Sequence, residues 1–345
     1  MRKMILSFAA LALLFTSCNE DQNSINNNDQ SKVDMSDFYV YTDADLDEAN
    51  KVASNSKLKT CYSMVNLNRM LNEDPSLEQK MYDVEYHTRA SIYSKGKPVK
   101  GGGGTDPVPD DLGVINIPVN IHVVYSNSQQ NVSDNQINAQ MTVLNDDFRA
   151  SNNDINQVPS AFSGLVADSE INFTLANTFR YSNATSAWST NDAVKAAYPP
   201  VSPSTHLNIW VCNISGGILG YAQFPGGPSA TDGVVVLYSS LPGGSAAPYN
   251  AGRTLTHEVG HYLNLRHIWG DGRCNRDDFV TDTPSSDGAN YGCPSYPTVN
   301  CRTTDMTMNY MDYVDDSCMY MFSDGQKSRM RTIFEAGGSR ESMLN

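Results

Sequence analysis

The sequence predicts an α+β fold, on three observations. An alternating, β-branched segment, Ile117 to Tyr125 (IPVNIHVVY), reads as a strand, and further apolar strands follow it. A helix carrying His257-Glu258-Val259-Gly260-His261 comes after the strands. An irregular, cysteine-bearing region and a final helix complete the order expected of an α+β domain.

Each element has a local reason. After the first strand, Ser133 caps a helix with Ile137, Met141, Leu144 and Phe148 on one face. Ile171 to Thr178 reads as a strand, and Leu207 to Cys212 as another with alternating apolar residues. Gly216-Gly217 precede Ile218-Leu219-Gly220-Tyr221-Ala222, a candidate edge strand. Gly233 to Tyr238 is a further strand, and the helix with the paired histidines should begin near Arg253 or Thr254.

The N-terminal part divides by composition. Residues 1–18 carry a basic start (Arg2, Lys3) and an apolar run from Ile5 to Phe15, the pattern of a signal peptide. The run is too short to span a membrane as a permanent helix. Thr16-Ser17-Cys18 looks like a bacterial lipobox, with Cys18 the lipidated residue; the alternative is ordinary cleavage with Cys18 discarded. Either way the chain is expected to be exported, to the cell surface as an outer-membrane lipoprotein or as a secreted protein. Residues 19–35 are polar and read as a disordered tether. Residues 36–97 are too short and polar to look like an independent domain, and read as a propeptide. Residues 98–112, with Gly101 to Gly104, form a flexible linker, and 113–340 the main domain. Arg89, Lys95, Lys97 and Lys100 are candidate cleavage points. The net charge of −14 argues against nucleic acid as a partner and against a polybasic membrane surface. Membrane contact is expected only through a lipid anchor.

Three of the six histidines lie between 257 and 267. His257 and His261 are four apart, so on a helix they share one face. With His267 they offer three neutral nitrogens to Zn²⁺ and leave a fourth tetrahedral position open, the form of a catalytic site. Glu258 lies beside them and can move protons for a metal-activated water. The third histidine needs a sharp turn after the helix. The motif familiar from metzincins, HExxHxxGxxH, has glycine at that turn. Here it is Asn264, the next most tolerant residue of the left-handed region. His122 and His206 lie on separate strands without paired ligand spacing and are expected to be structural. Cys212 is expected to be a small buried hydrophobe.

The motif, Asp277-Asp278-Phe279-Val280-Thr281-Asp282-Thr283-Pro284, NYMDYVDDSCMYMFSDGQ and LNIWVCNISGGILGYAQFP resemble the pappalysin-type metzincins, called cytophagalysins when bacterial. The likeness runs over roughly 115–335. It implies a metzincin catalytic domain with a twisted mixed sheet, a zinc-binding helix and an irregular C-terminal subdomain. It implies a Met-turn at Met311 and a role for Tyr313 near the metal. It implies a zinc endopeptidase made as a zymogen, with polypeptide substrate added to an edge strand. Cys61, alone in its segment, would be the switch ligand that fills the open zinc position; the alternative is pairing with Cys212 or a free thiol.

Four cysteines, Cys274, Cys293, Cys301 and Cys318, lie in a loop-rich region and allow three pairings. The resemblance favours Cys274–Cys301 and Cys293–Cys318. It also suggests calcium near Asp277, Asp278, Asp282 and Thr283, all hard oxygen donors. Two other functions compete: a surface binding lipoprotein with a vestigial site, and a zinc hydrolase of a non-peptide bond. For specificity, Asp312, Asp315 and Asp316 are candidate pocket residues, with Met319 making the pocket more apolar.

Overall fold

The computed structural model describes residues 33–43, 60–96 and 110–344. The signal segment with Cys18, the tether through residue 32, and residues 97–109 with Lys97 and Lys100 lie outside them. Met1–Asp34 and Met35–Asn345 form separate units, and every regular element among the described residues belongs to the second.

The first elements are β1 (Thr60–Cys61), α1 (Ser63–Glu73) and α2 (Ser76–Lys95). Next come β2 (Ile115–Tyr125), α3 (Asp134–Phe148), β3 (Ile171–Ser182), α4 (Ala193–Ala197), β4 (Leu207–Cys212), β5 (Ile218–Ala222) and β6 (Val234–Leu237). The chain then forms α5 (Arg253–Tyr262), a small hairpin of β7 (Val299–Asn300) and β8 (Thr303–Thr304), and α6 (Asp324–Thr332). The fold is α+β. The helix expected to start at a serine cap, at Ser133, does so, and α6 starts at a second serine, Ser323. Ser133 accepts the Gln136 amide while Gln136 accepts from Ser133, and Ser323 and Gln326 repeat the exchange at α6.

Six strands make one mixed sheet in the order β1-β5-β6-β4-β2-β3. β2 pairs parallel with both β3 and β4, and β6 runs parallel to β4. β5 runs antiparallel to β6. β1 adds parallel to β5 and closes what is otherwise the sheet's edge. Alternation on β2 sends Ile117, Val119, Ile121 and Val123 to one face. There they meet Ile137, Met141, Leu144 and Phe148 of α3, and Leu255, Val259 and Tyr262 of α5. Burying each such side chain contributes about 2 kcal/mol. This core is the bed on which α5 rests. Trp210, Cys212, Tyr221, Val235 and Leu237 face the other way and pack with Trp188 and Val194.

The segment before β2 is more ordered than its polarity predicts. α1 and α2 form a helix pair broken at Asp74-Pro75, where the Asp74 carboxylate accepts the Ser76 amide at 3.0 Å. Its apolar residues, including Met64, Leu67, Leu71, Leu77 and Met81, cluster with Val40 and with Phe224 just past β5. The helix pair therefore completes its core on the main domain, which is why its composition looked too polar for independence.

Candidate active site

Helix α5 starts after Gly252, whose φ of 95° turns the chain into it. All its residues are buried. It ends at Tyr262, and Asn264 takes φ 75°, the left-handed conformation expected there. Leu265 N then donates to Gly260 O at 2.9 Å, which reverses the chain and brings His267 back toward the helix.

The three rings converge. His261 Nε2 lies 3.1 Å from His257 Nε2 and 3.1 Å from His267 Nε2. Each Nδ1 faces an oxygen that can only accept: Tyr310 O at 2.7 Å, Leu265 O at 2.8 Å, and Asp271 Oδ1 at 2.5 Å. The carbonyl partners place the proton of His257 and His261 on Nδ1, and the Asp271 carboxylate does the same for His267. Three bare Nε2 lone pairs then point at one another. That arrangement repels unless a cation lies among them. A tetrahedral ion with bonds of about 2.05 Å spaces its ligands by roughly 3.3 Å, close to the observed separations. Burial, and then the neighbouring His267, push the His257 imidazolium pKa down to about 3, so the ring is neutral. Cys61 Sγ joins the group, with all four ligand atoms within 4.8 Å of one another.

Glu258 sits against β5. A Cβ on Gly220 would lie 2.8 Å from Glu258 Cγ, so only glycine fits there. Burial raises the Glu258 carboxyl to about 7 against the lowering effect of its hydrogen bonds. Ser63 Oγ donates to Glu258 Oε2 at 2.7 Å and accepts the Ala222 amide at 2.7 Å. The Cys61 thiol reaches the same carboxylate oxygen at 3.4 Å. The Tyr313 hydroxyl donates to Cys61 O at 3.3 Å, and its ring lies 4.9 Å from His267 and 5.6 Å from His257. Met311 is fully buried beneath the helix, and a Cβ on Gly260 would collide with its sulfur.

Against this geometry the comparisons are consistent. The family model described as pregnancy-associated plasma protein-A, a peptidase family (M43), matches residues 192–335. An extracellular metalloprotease of Arthroderma otae is 33% identical over 241 residues, covering 68% of this chain and 83% of the relative. The chain belongs to the M43 peptidase family. Mature mirolysin of Tannerella forsythia, in complex with a cleaved peptide, is 44% identical with a TM-score of 0.65, covering 67% of this chain and 96% of that one. A mutant of Tannerella forsythia promirolysin is 39% identical with a TM-score of 0.72, covering 83% and 97%. This M43 member is a pappalysin-type metzincin and a metalloendopeptidase.

The remaining expectations meet the M43 fold unevenly. Disulfides join Cys274 to Cys301 and Cys293 to Cys318. Cys61 and Cys212 are free and buried, so they do not pair with each other. His122 is stacked between Phe179 and Trp210 and bonds Asn208, and His206 bonds Thr205; neither joins a metal group. The four residues named for calcium, Asp277, Asp278, Asp282 and Thr283, do not gather at one point. Asp282 accepts from Ser323 Oγ at 2.6 Å and Gly325 N at 2.8 Å, so it caps α6 instead. The Asp277 carboxylate accepts Phe279 N in an exposed position. Only Asp278 and Thr283 meet, at 2.8 and 2.9 Å.

Asp312, Asp316 and Met319 line the cavity beside His257, together with Tyr249, Arg253 and Val314; Asp315 does not. Both carboxylates are bound from behind. Asp312 accepts from Asn290 and Tyr313 N, and Asp316 from Ala251 N and Arg253 N. Sequence reasoning missed Trp269, stacked on His267 at 4.4 Å, and Asp271, which orients it. An acid four residues after the third histidine was the available signal. Ser63, two residues past Cys61, carried none.

Proposed function

We propose that His257, His261 and His267 hold one catalytic zinc, and that the chain is an exported endopeptidase kept latent by its own residues 36–97. The observation that carries this is His261 Nε2 lying 3.1 Å from the Nε2 of both His257 and His267, with every Nδ1 proton fixed outward. The chemistry such a metal supplies is acidification of a water and polarisation of the scissile carbonyl. Glu258 is the general base: it takes the water's proton and returns it to the leaving amine. Tyr313 donates to the substrate carbonyl, where it now donates to Cys61 O. Met311 is the floor of the site.

In the latent form Cys61 is the fourth ligand, Ser63 engages Glu258, and β1 lies along β5 where substrate would add as a strand. The wider match to promirolysin than to mature mirolysin supports reading 36–97 as propeptide, 98–112 as linker and 113–340 as the catalytic domain. The relatives named extracellular metalloproteases support export. The basic and apolar run of 1–18, ending at Thr16-Ser17-Cys18, is our ground for a signal with Cys18 as the lipid attachment point. The mirolysin complex with a cleaved peptide supports a polypeptide substrate.

The calcium expectation narrows to Asp278 and Thr283, which meet. The Thr283 hydroxyl proton faces both Asp278 oxygens and Val280 O, and the Val280 amide donates to Asp278 Oδ1, so four oxygens gather on two donors. Calcium should restore thermal stability lost to a chelator where zinc does not.

The test is digestion of casein by the activated protein with and without 1,10-phenanthroline. Cleavage abolished by the chelator and restored by zinc is expected. No cleavage of any protein substrate would leave a non-peptide hydrolase or a vestigial site.

A further inference from the structure

The propeptide makes one charged contact just beyond the cleft that latency does not require. From β1 the chain enters α1, and Asn66 Nδ2 approaches Ala222 O at the end of β5 at 3.5 Å. One turn on, Arg69 donates to Asn66 Oδ1 at 2.7 Å and to the Asp192 carboxylate. Asp192 is thus linked to the end of the substrate edge through two side chains, Asn66 and Arg69, in three contacts. When α1 leaves, a long side chain on a peptide lying along β5 can take the place of that pair.

The carboxylate is held in place from the catalytic side. Asp192 has φ 62°, a strained conformation for a residue with a side chain. Lys195 holds it there: its ammonium lies 3.0 Å from Asp192 Oδ1, donates to Thr231 O at 2.8 Å, and is fully buried. The rings of Tyr221, a β5 residue, and Trp210 flank the ammonium at 5.0 and 5.7 Å. Lys195 therefore fixes one oxygen from within, and the other faces the propeptide. Asp312 and Asp316, the acids beside His257, have their carboxylates bound to backbone amides. Asp192 is the acid near the edge strand whose outward partner leaves with the propeptide.

We propose that Asp192 forms a subsite for a cationic side chain, arginine or lysine, of the substrate, remote from the scissile bond and filled by Arg69 in the latent form. This rests on the peptidase reading above. The subsite takes a guanidinium or ammonium because Asp192 Oδ2, the oxygen that Arg69 now occupies, is a charge-bearing acceptor at a partly dry surface.

Two measurements test it. Quenched-fluorescent peptides identical except for Arg or Gln, placed in turn at each position remote from the cleaved bond, are given to the activated enzyme and to Asp192→Asn. At one position the arginine peptide should be cleaved about tenfold faster by the wild type, in kcat/KM, and the advantage should vanish in Asp192→Asn, while the glutamine peptides are cleaved alike. The same pairs are then titrated by fluorescence anisotropy onto wild-type enzyme stripped of metal, where turnover plays no part. A matching arginine preference, weakened by raising salt, is expected. Equal binding of both members of every pair overturns the subsite even if Asp192→Asn fails to fold. Absence of cleavage with the binding preference intact would instead count against the peptidase reading alone.

Discussion

The two sides of the cleft are built in opposite ways. The lower side is α5, its turn and the methionine floor. Its histidines are held by Tyr310 O, Leu265 O and Asp271, all in the catalytic part of the chain. The upper side is β1 and α1, whose contacts with the site join residues about 200 or more positions apart: Cys61 and Ser63 with Glu258, and Cys61 with Tyr313. The lower side is a permanent apparatus. The upper side, on the propeptide reading proposed above, is a removable plug bonded to the very atoms the apparatus would use. Mutations should therefore divide into those felt in both forms and those felt only while the plug is in place.

The largest expected effect lies on the lower side. Glu258→Ala should lose at least about two orders of magnitude in kcat, the usual consequence of removing a general base. Metal content by mass spectrometry should be unchanged, because Glu258 is not among the four converging ligand atoms. Full retained activity would mean the carboxylate between Gly220 and Ser63 is structural.

Next comes an anchor of the plug. Glu85 of α2 and Arg329 of α6 form an ion pair with both side chains about 2–3% exposed. Arg329 and Arg89 hold the Glu85 carboxyl down to about 2 against the opposing effect of burial. Its pKa in an unfolded chain is about 4.3. A depressed folded-state pKa stabilises above the unfolded value, and that stability is lost as pH falls through the folded one. Glu85 should therefore hold the proform together by on the order of 3 kcal/mol above about pH 4.5, fading toward pH 2. Glu85→Gln should lower the melting temperature of the proform and leave its acid transition shallower. The enzyme freed of its propeptide should show neither dependence. An unchanged proform melting curve would break the comparison at this anchor.

The same division explains what was legible in the sequence. His257, Glu258, His261 and His267 are read from spacing because a helix and one turn bring neighbours in sequence together. Met311 and Tyr313 needed the family likeness, since nothing local says that residues fifty positions on return beneath the helix. The capping of α6 by Asp282 was not legible, because an acid in a loop and an acid capping a distant helix have the same local sequence. Strands β2 to β6 of the main sheet were legible because alternation and β-branching are local; β1, two residues long, was not. The helix pair α1 and α2 was not, because its apolar face is completed by Phe224 of another part of the chain. Ser63 and Asp192 gave no signal for the same reason: their partners are far away in sequence.

Cys61→Ala sharpens the comparison from the plug's side. It removes the thiol from the ligand group but leaves the β1–β5 pairing and the Ser63–Glu258 contact. The uncut proform should gain about tenfold in peptidase activity, short of the mature level, because strand pairing still covers the edge. Activity no higher than that of the unaltered proform would mean that the remaining contacts suffice and that Cys61 is not a switch.

The smallest expected effect falls at a residue of the lower side that also touches the propeptide. Asn264 makes the turn that returns His267, at φ 75°, and its side chain donates to Thr88 of α2 at 3.2 Å. Glycine relieves the strain of a side chain in the left-handed region, but it raises the entropy of the unfolded chain. These terms oppose each other, so in the mature enzyme Asn264→Gly should shift stability by no more than about 0.5 kcal/mol. In the proform the variant also loses the Thr88 hydrogen bond, worth about 1 kcal/mol where it is buried. Chemical denaturation of the two forms should therefore show the proform losing more than the mature enzyme. Equal losses in both would mean that asparagine serves the turn alone and that the plug does not lean on it.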